Sequence, residues 1–103
     1  MNKHYVLAKG AVADLKEIIR HTNDHWGVTQ CRIYIDQLEK AAATVAKGEG
    51  LFKDLSFIHP KLRMARCERH YIFCLPRKHA LPVILAIFHE RMDMMARLKS
   101  RLG

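Results

Sequence analysis

From Phe88 to Leu98 the chain reads FHERMDMMARL. His89, Glu90, Arg91 and Asp93 place an imidazole, two carboxylates and a guanidinium within five positions, just after an apolar run. An imidazole or a carboxylate can move a proton, and a guanidinium can hold a developing anion, so the cluster has the parts for acid–base work on a phosphate. The same residues would also serve as a docking surface, with Met92 as an adaptable apolar contact. A third reading is structural: the place where a buried strand reaches water, with Asp93 pairing Arg91 or capping a helix.

Other chemistries find less support. His21 and His25 are four apart on a helical stretch, but the remaining histidines are scattered and no further ligand cluster follows. No metal and no cofactor are expected. Cys31, Cys67 and Cys74 make no disulfide framework and read as core thiols. With Glu68-Arg69 as a two-residue turn, Cys67 and Cys74 share a sheet face about 13 Å apart along the ladder, beyond disulfide reach.

Charge is unevenly spread. Residues 1–50 carry seven Lys/Arg against six Asp/Glu, and residues 51–103 carry eleven against four, so seven of the eight net positive charges lie in the second half. Such a surface is a solvated face or a site for an acidic partner, either nucleic acid or a negative protein segment. The longest apolar run, Val83–Phe88, has six residues, far short of the roughly 18–20 of a membrane helix. The N-terminal stretch meets charge too early for a secretory signal. A cytoplasmic protein with no membrane contact is expected, folded as one domain over residues 1–103.

The elements that must position these groups follow from periodicity. HYVLA (His4–Ala8) reads as a first strand. Val12, Leu15, Ile19, Thr22 and Trp26 step by three and four along a helix from Ala11 to Trp26. Gly27 suits the left-handed position after it, and Thr29 suits the cap of a second helix from Gln30 to Lys47, stopped by Gly48–Gly50. So short a link predicts an antiparallel helical hairpin. Leu62–Glu68, His70–Leu75 and Leu81–His89 read as three antiparallel strands, and a short helix runs from Asp93 to Leu102. The fold class is α+β: a two-helix antiparallel hairpin packed on a small, mainly antiparallel sheet, in the order β-α-α-β-β-β. In this register Leu62, Met64, Tyr71, Phe73 and Leu75 face one way, and Ala65, Cys67, Ile72 and Cys74 the other. Both faces are mostly apolar, and the helices can cover only one. The second face is a docking site for a partner, or it is closed by the loop Leu51–Pro60 and the tail.

The stretch ADLKEIIRHTNDHWGVTQCRIYIDQLE, then KLRMARCERHYIFCLPR and ILAIFHERMDMMARL, together resemble the ParE toxins, notably the plasmid-borne ones, over essentially the whole chain. Trp26 and Gly27 carry the WG of that pattern and are expected to be structural. The resemblance implies a RelE/ParE-like fold and the toxin of a type II toxin–antitoxin pair involved in plasmid maintenance. It implies a DNA gyrase inhibitor that traps the cleaved-DNA complex, not an enzyme, neutralised by a ParD-type antitoxin in a hetero-oligomer. Operator DNA would be reached only indirectly, through the antitoxin. His89, Arg91, Met92 and Asp93 are then candidates for docking gyrase. Arg63, Arg66, Arg77, Ile72 and Cys74 are candidates for holding the antitoxin.

The alternative within the superfamily is RelE-like, ribosome-dependent cleavage of mRNA. That reaction needs a base for the 2′-hydroxyl, an acid for the leaving oxygen and cations for the phosphorane. Arg63, Arg66, Glu68 and His89 could supply part of the set. Against this reading, no tyrosine lies beyond Tyr71.

Overall fold

The computed structural model describes residues 4–103. Strand β1 (Val6–Leu7) leads into α1 (Lys9–Ala46), followed by β2 (Lys53–Asp54), β3 (Arg63–Cys67), β4 (His70–Leu75), β5 (Val83–His89) and α2 (Met94–Leu102). The five strands form one sheet in the order β1-β5-β4-β3-β2. β1 runs parallel to β5 and every other pairing is antiparallel. The α+β class agrees with the sequence reading, with one more strand than expected. β2 has only two residues, too few to leave a periodic signal.

Helix α1 consists of two helical arms joined at one non-helical residue, Gly27, at φ 86° and ψ 171°. That left-handed φ strains any residue with a Cβ, whereas the space around Gly27 is open. Thr29 is already helical and caps nothing. Across the break, the Cys31 thiol donates to the Ile19 carbonyl at 3.5 Å. Twelve residues of straight helix would span about 18 Å, so the two arms double back on each other. The expected stripe on the first arm holds at Leu15 and Thr22 and is displaced by one position at Val12 and Ile19. Ala11, Ile18 and Thr22 are buried, while Val12, Ile19 and Trp26 are exposed, Trp26 by 71%. Adjacent apolar pairs at 11–12 and 18–19 give two stripes of equal period, and the sheet takes the one headed by the small Ala11. Trp26 therefore does not serve the core. On the second arm Cys31, Leu38, Ala42 and Val45 are buried, as their spacing predicts.

The β3–β4 register pairs Cys67 with His70 and Met64 with Phe73, as a Glu68-Arg69 turn requires. Ala65, Ile72, Cys74, Ile84 and Ile87 pack beneath α1. Between β4 and β5 the register slips after Phe73: Ala86 faces Phe73 but Ile84 faces Cys74, leaving Leu85 as an extra residue. Such a bulge bends the strand and frees backbone groups from the ladder.

The second sheet face is closed from within. Leu62, Phe73, Ala86 and Phe88 form a second core with Leu55 of the loop and Leu98 of α2, flanked by Ile58, Met92, Met94 and Leu102. Of the two readings of this face, closure by the loop and the tail is the one the structure shows. The loop and the tail carry enough apolar side chains to cover it, and α2 presents Leu98, which is 1% exposed.

What ties α2 down is an ion pair. β1 pairs with β5 only as far as Ile84. Beyond it, Ile87 N–H donates to Asp14 Oδ2 at 2.9 Å, and Arg101 Nη1 donates to the Leu85 carbonyl at 3.2 Å. Arg101 also holds both Asp14 oxygens, at 2.9 and 2.7 Å, and lies 5.0 Å from the Phe88 ring centre. The pair stands where a longer β1 would have stood, satisfying the strand edge with side chains. Gly10 makes room for it, since a Cβ there would meet Arg101 Nη1 at 2.5 Å.

Asp14→Ala and Arg101→Ala should each lower stability by about 3 kcal/mol, because either leaves its partner's charge poorly solvated. The double variant should lose clearly less than the sum. Gly10→Ala should also destabilise, although alanine is the better helix former by about 1 kcal/mol. Urea melts of the four variants check this, and a stabilised Gly10→Ala protein would contradict it.

Candidate functional site

The polar residues singled out by type gather at the sheet end where the β3–β4 turn meets the end of β5. His89 pairs with His70 across the ladder, and their rings meet edge to face at 5.2 Å. The chain does not continue extended past His89. Met92 N–H donates to the His89 carbonyl at 3.0 Å, and Arg91 N–H donates to His89 Nδ1 at 3.1 Å. Asp93 then accepts from Ala96 N–H at 3.4 Å and caps α2. Of the four docking candidates, His89 is half-buried in the turn, Met92 packs against the second core and Asp93 is a cap. Arg91 is exposed.

Glu90 is fixed twice. Its N–H donates to the Arg69 carbonyl at 2.8 Å, and its carboxylate pairs with Arg66 at 2.7 Å. Arg66 also donates to Tyr71 Oη at 3.1 Å and to the Glu68 carbonyl at 2.9 Å. Arg66 is thus spent on bracing the turn.

Behind this lies a neutral pin that periodicity could not reveal. Tyr34, on the second arm of α1, donates to the Cys67 carbonyl at 3.3 Å, and its hydroxyl lies 2.5 Å from His70 Nδ1. Burial, reinforced by Cys67, pushes Tyr34 up to about 12. Burial, reinforced by His89, pushes His70 down to about 4. Neither group carries charge near neutrality, so the pin is a hydrogen bond and not an acid–base pair poised at pH 7.

The remaining candidates are dispersed. Arg63 Nη1 donates to the Val45 carbonyl at 3.1 Å, closing the C-terminal end of α1, and its guanidinium lies 5.1 Å from the Phe52 ring centre. Arg77 Nε donates to the Leu81 carbonyl at 2.7 Å and closes the β4–β5 loop. Ile72 and Cys74 are 0% exposed beneath α1, so no partner reaches them in this conformation. Arg63 and Arg66, three apart on β3, project to opposite sheet faces. Arg66, Glu68 and His89 share the turn end of the sheet, whereas Arg63 stands at the start of β3 with its guanidinium on the end of α1, so the four do not meet as one group. Among the described residues no group of three or more His, Cys, Asp or Glu side chains could hold a metal ion. Among the described residues, no helix is long and apolar enough to cross a membrane. The three cysteines are free thiols; burial raises Cys67, and raises Cys74 to about 11.

Sequence comparison agrees with this architecture. Residues 5–94 match the family model described as ParE toxin of type II toxin–antitoxin system, parDE. The chain is 55% identical over 98 residues to Toxin ParE of Escherichia coli, covering 95% of each protein. It is 29% identical over 94 residues to Toxin ParE1 of Mycobacterium tuberculosis (strain CDC 1551 / Oshkosh), covering 91% of this chain and 96% of that one.

The pin makes a pH prediction. His70 is depressed in the folded state, so the unfolded chain takes up its proton first as pH falls below about 6.5. Stability is full above that value and is lost toward pH 4, by at most about 1.4 kcal/mol per pH unit from this group. Melting temperature should drop between pH 7 and pH 5, and His70→Gln should flatten the drop. An unchanged profile in that variant would refute the assignment.

Proposed function

Because the chain belongs to the ParE toxin family of type II toxin–antitoxin systems, we propose that it inhibits DNA gyrase and traps its cleaved-DNA complex. A ParD-type antitoxin neutralises it in the cytoplasm. The observation that carries this reading is 55% identity to a ParE toxin across 95% of both chains. In this reading the two arms of α1 are the antiparallel hairpin of the RelE/ParE-like fold, and the protein acts by binding, not by catalysis. The separation of Arg63 from Arg66, Glu68 and His89 supports an inhibitor over a ribonuclease.

Arg91 is the residue of the HERMD turn best placed to meet gyrase. It is exposed, and its backbone is held by the His89 ring. Fixing the backbone lowers the entropy lost when the side chain docks. Met92 and Asp93 support it by anchoring the turn and capping α2. For the antitoxin, Arg77 and the exposed part of Arg66 offer charge, which would contribute specificity and association rate more than affinity.

Purified protein should block gyrase supercoiling and accumulate cleaved DNA, leaving ribosome-bound mRNA intact. Arg91→Ala should lose most of that inhibition while shifting stability by less than about 0.5 kcal/mol, as exposed substitutions do. Asp93→Ala should instead cost about 1 kcal/mol through the lost cap. Full inhibition by Arg91→Ala would remove this turn from the gyrase interface, and mRNA cleavage without gyrase inhibition would overturn the function.

A further inference from the structure

The excess positive charge of the second half has a location. Strand pairing sets Lys53 opposite Met64 and Arg63 opposite Cys74. Lys61, just before β3, and Arg77, just after β4, therefore lie at one end of the sheet. Lys78 follows in the adjoining loop. Lys47 joins them, because the neighbouring Gly48 packs against the Arg63 guanidinium, 3.2 Å from where its Cβ would stand. Residues 47–63 and 76–80 carry six Lys/Arg and two Asp/Glu. One of those carboxylates, Asp54, accepts from Ser56 N–H at 2.8 Å.

Lys47, Lys53, Lys61 and Lys78 are all exposed. The ion pairs among the described residues belong to other cations: Arg20, Lys40, Arg66 and Arg101. Six cations outnumber the two carboxylates here, and the excess of like charge repels itself and lowers the stability of the compact state. A polyanion relieves that repulsion. Two kinds of polyanion fit by sign, and side-chain type separates them. Lysine is depleted from protein–protein interfaces, whereas its ammonium is a point-charge ligand for phosphate. The groove lined by Ile19, Cys31 and Ile35 is built from α1, not from this end of the sheet.

We infer that this lysine-rich end of the sheet binds the phosphate backbone of DNA without reading sequence. Its functional meaning rests on the gyrase reading: a toxin that holds a cleaved-DNA complex would touch the DNA as well as the enzyme. The contact itself stands without that reading. It also leaves operator recognition to an antitoxin, since backbone contacts position a protein and carry no sequence information.

Anisotropy of a short labelled DNA duplex, titrated with the toxin alone across a salt series, tests the contact. Affinity should fall steeply with salt, with a log–log slope of about −0.9 per phosphate neutralised, so near −4 if the four lysines each engage one. The variant Lys47→Gln/Lys53→Gln/Lys61→Gln/Lys78→Gln should lose most of that slope. A control with the same loss of charge on α1, Lys16→Gln/Arg20→Gln/Arg32→Gln/Lys40→Gln, should keep it. Absence of binding at low salt, or equal loss in the control, would overturn the inference. So would lysine-dependent binding of polyglutamate without binding of the duplex, which would make the surface a protein site. Parallel supercoiling assays keep the two ideas apart. Gyrase inhibition without DNA binding leaves only the function standing, and DNA binding without gyrase inhibition leaves only the contact.

Discussion

The pairing of Asp14 with Arg101 is the constraint on which the rest of the structure leans. β5 is paired along its inner side by β4 but has only two residues of β1 along its outer side. Backbone groups past that short strand would meet poor solvation, and an open edge invites pairing with other chains. One carboxylate and one guanidinium answer both problems. Because Asp14 sits on α1 and Arg101 near the end of α2, the same contact joins the layers on the two faces of the sheet. The bulge at Leu85 turns its carbonyl to the guanidinium, and Gly10 leaves the space that the guanidinium fills. Bulge, glycine and ion pair are one device.

The sheet end carrying the HERMD turn is built on the opposite principle. There the polar groups neutralise one another locally: Arg66 with Glu90, Tyr34 with His70, Asp93 with the first turn of α2. Such a network fixes the turn, and Arg91 stands exposed beside it.

Much of this was legible in the sequence, in proportion to how local each signal is. The limits of β4, the Glu68-Arg69 turn and the cap at Asp93 follow from neighbouring residues, and the structure agrees with them. The left-handed Gly27 was legible for the same reason. The buried stripe of the first arm was legible only at Leu15 and Thr22, because Ala11 and Ile18 have the same period as Val12 and Ile19, and the choice depends on how closely the sheet approaches. Closure of the second face was open for a similar reason: Leu55 and Leu98 gain meaning only once loop and tail fold back. Asp14 and Arg101 are 87 positions apart, and no spacing rule could join them. The candidate site was legible as a list of residues but not as a geometry. Ile72 and Cys74 share the helix-facing side with Ala65, and α1 hides all three.

The buried thiols have a practical consequence. Thiolate, not thiol, is the attacking species, and Cys74 is both sealed beneath α1 and pushed up to about 11. Alkylating reagents therefore have almost no access to Cys74 while the sheet and α1 stay together. Modification of Cys74 becomes a clock for opening events, and any partner that grips the closed form slows it. A single residue of the toxin thus reports how firmly an antitoxin holds it, with no label added to either.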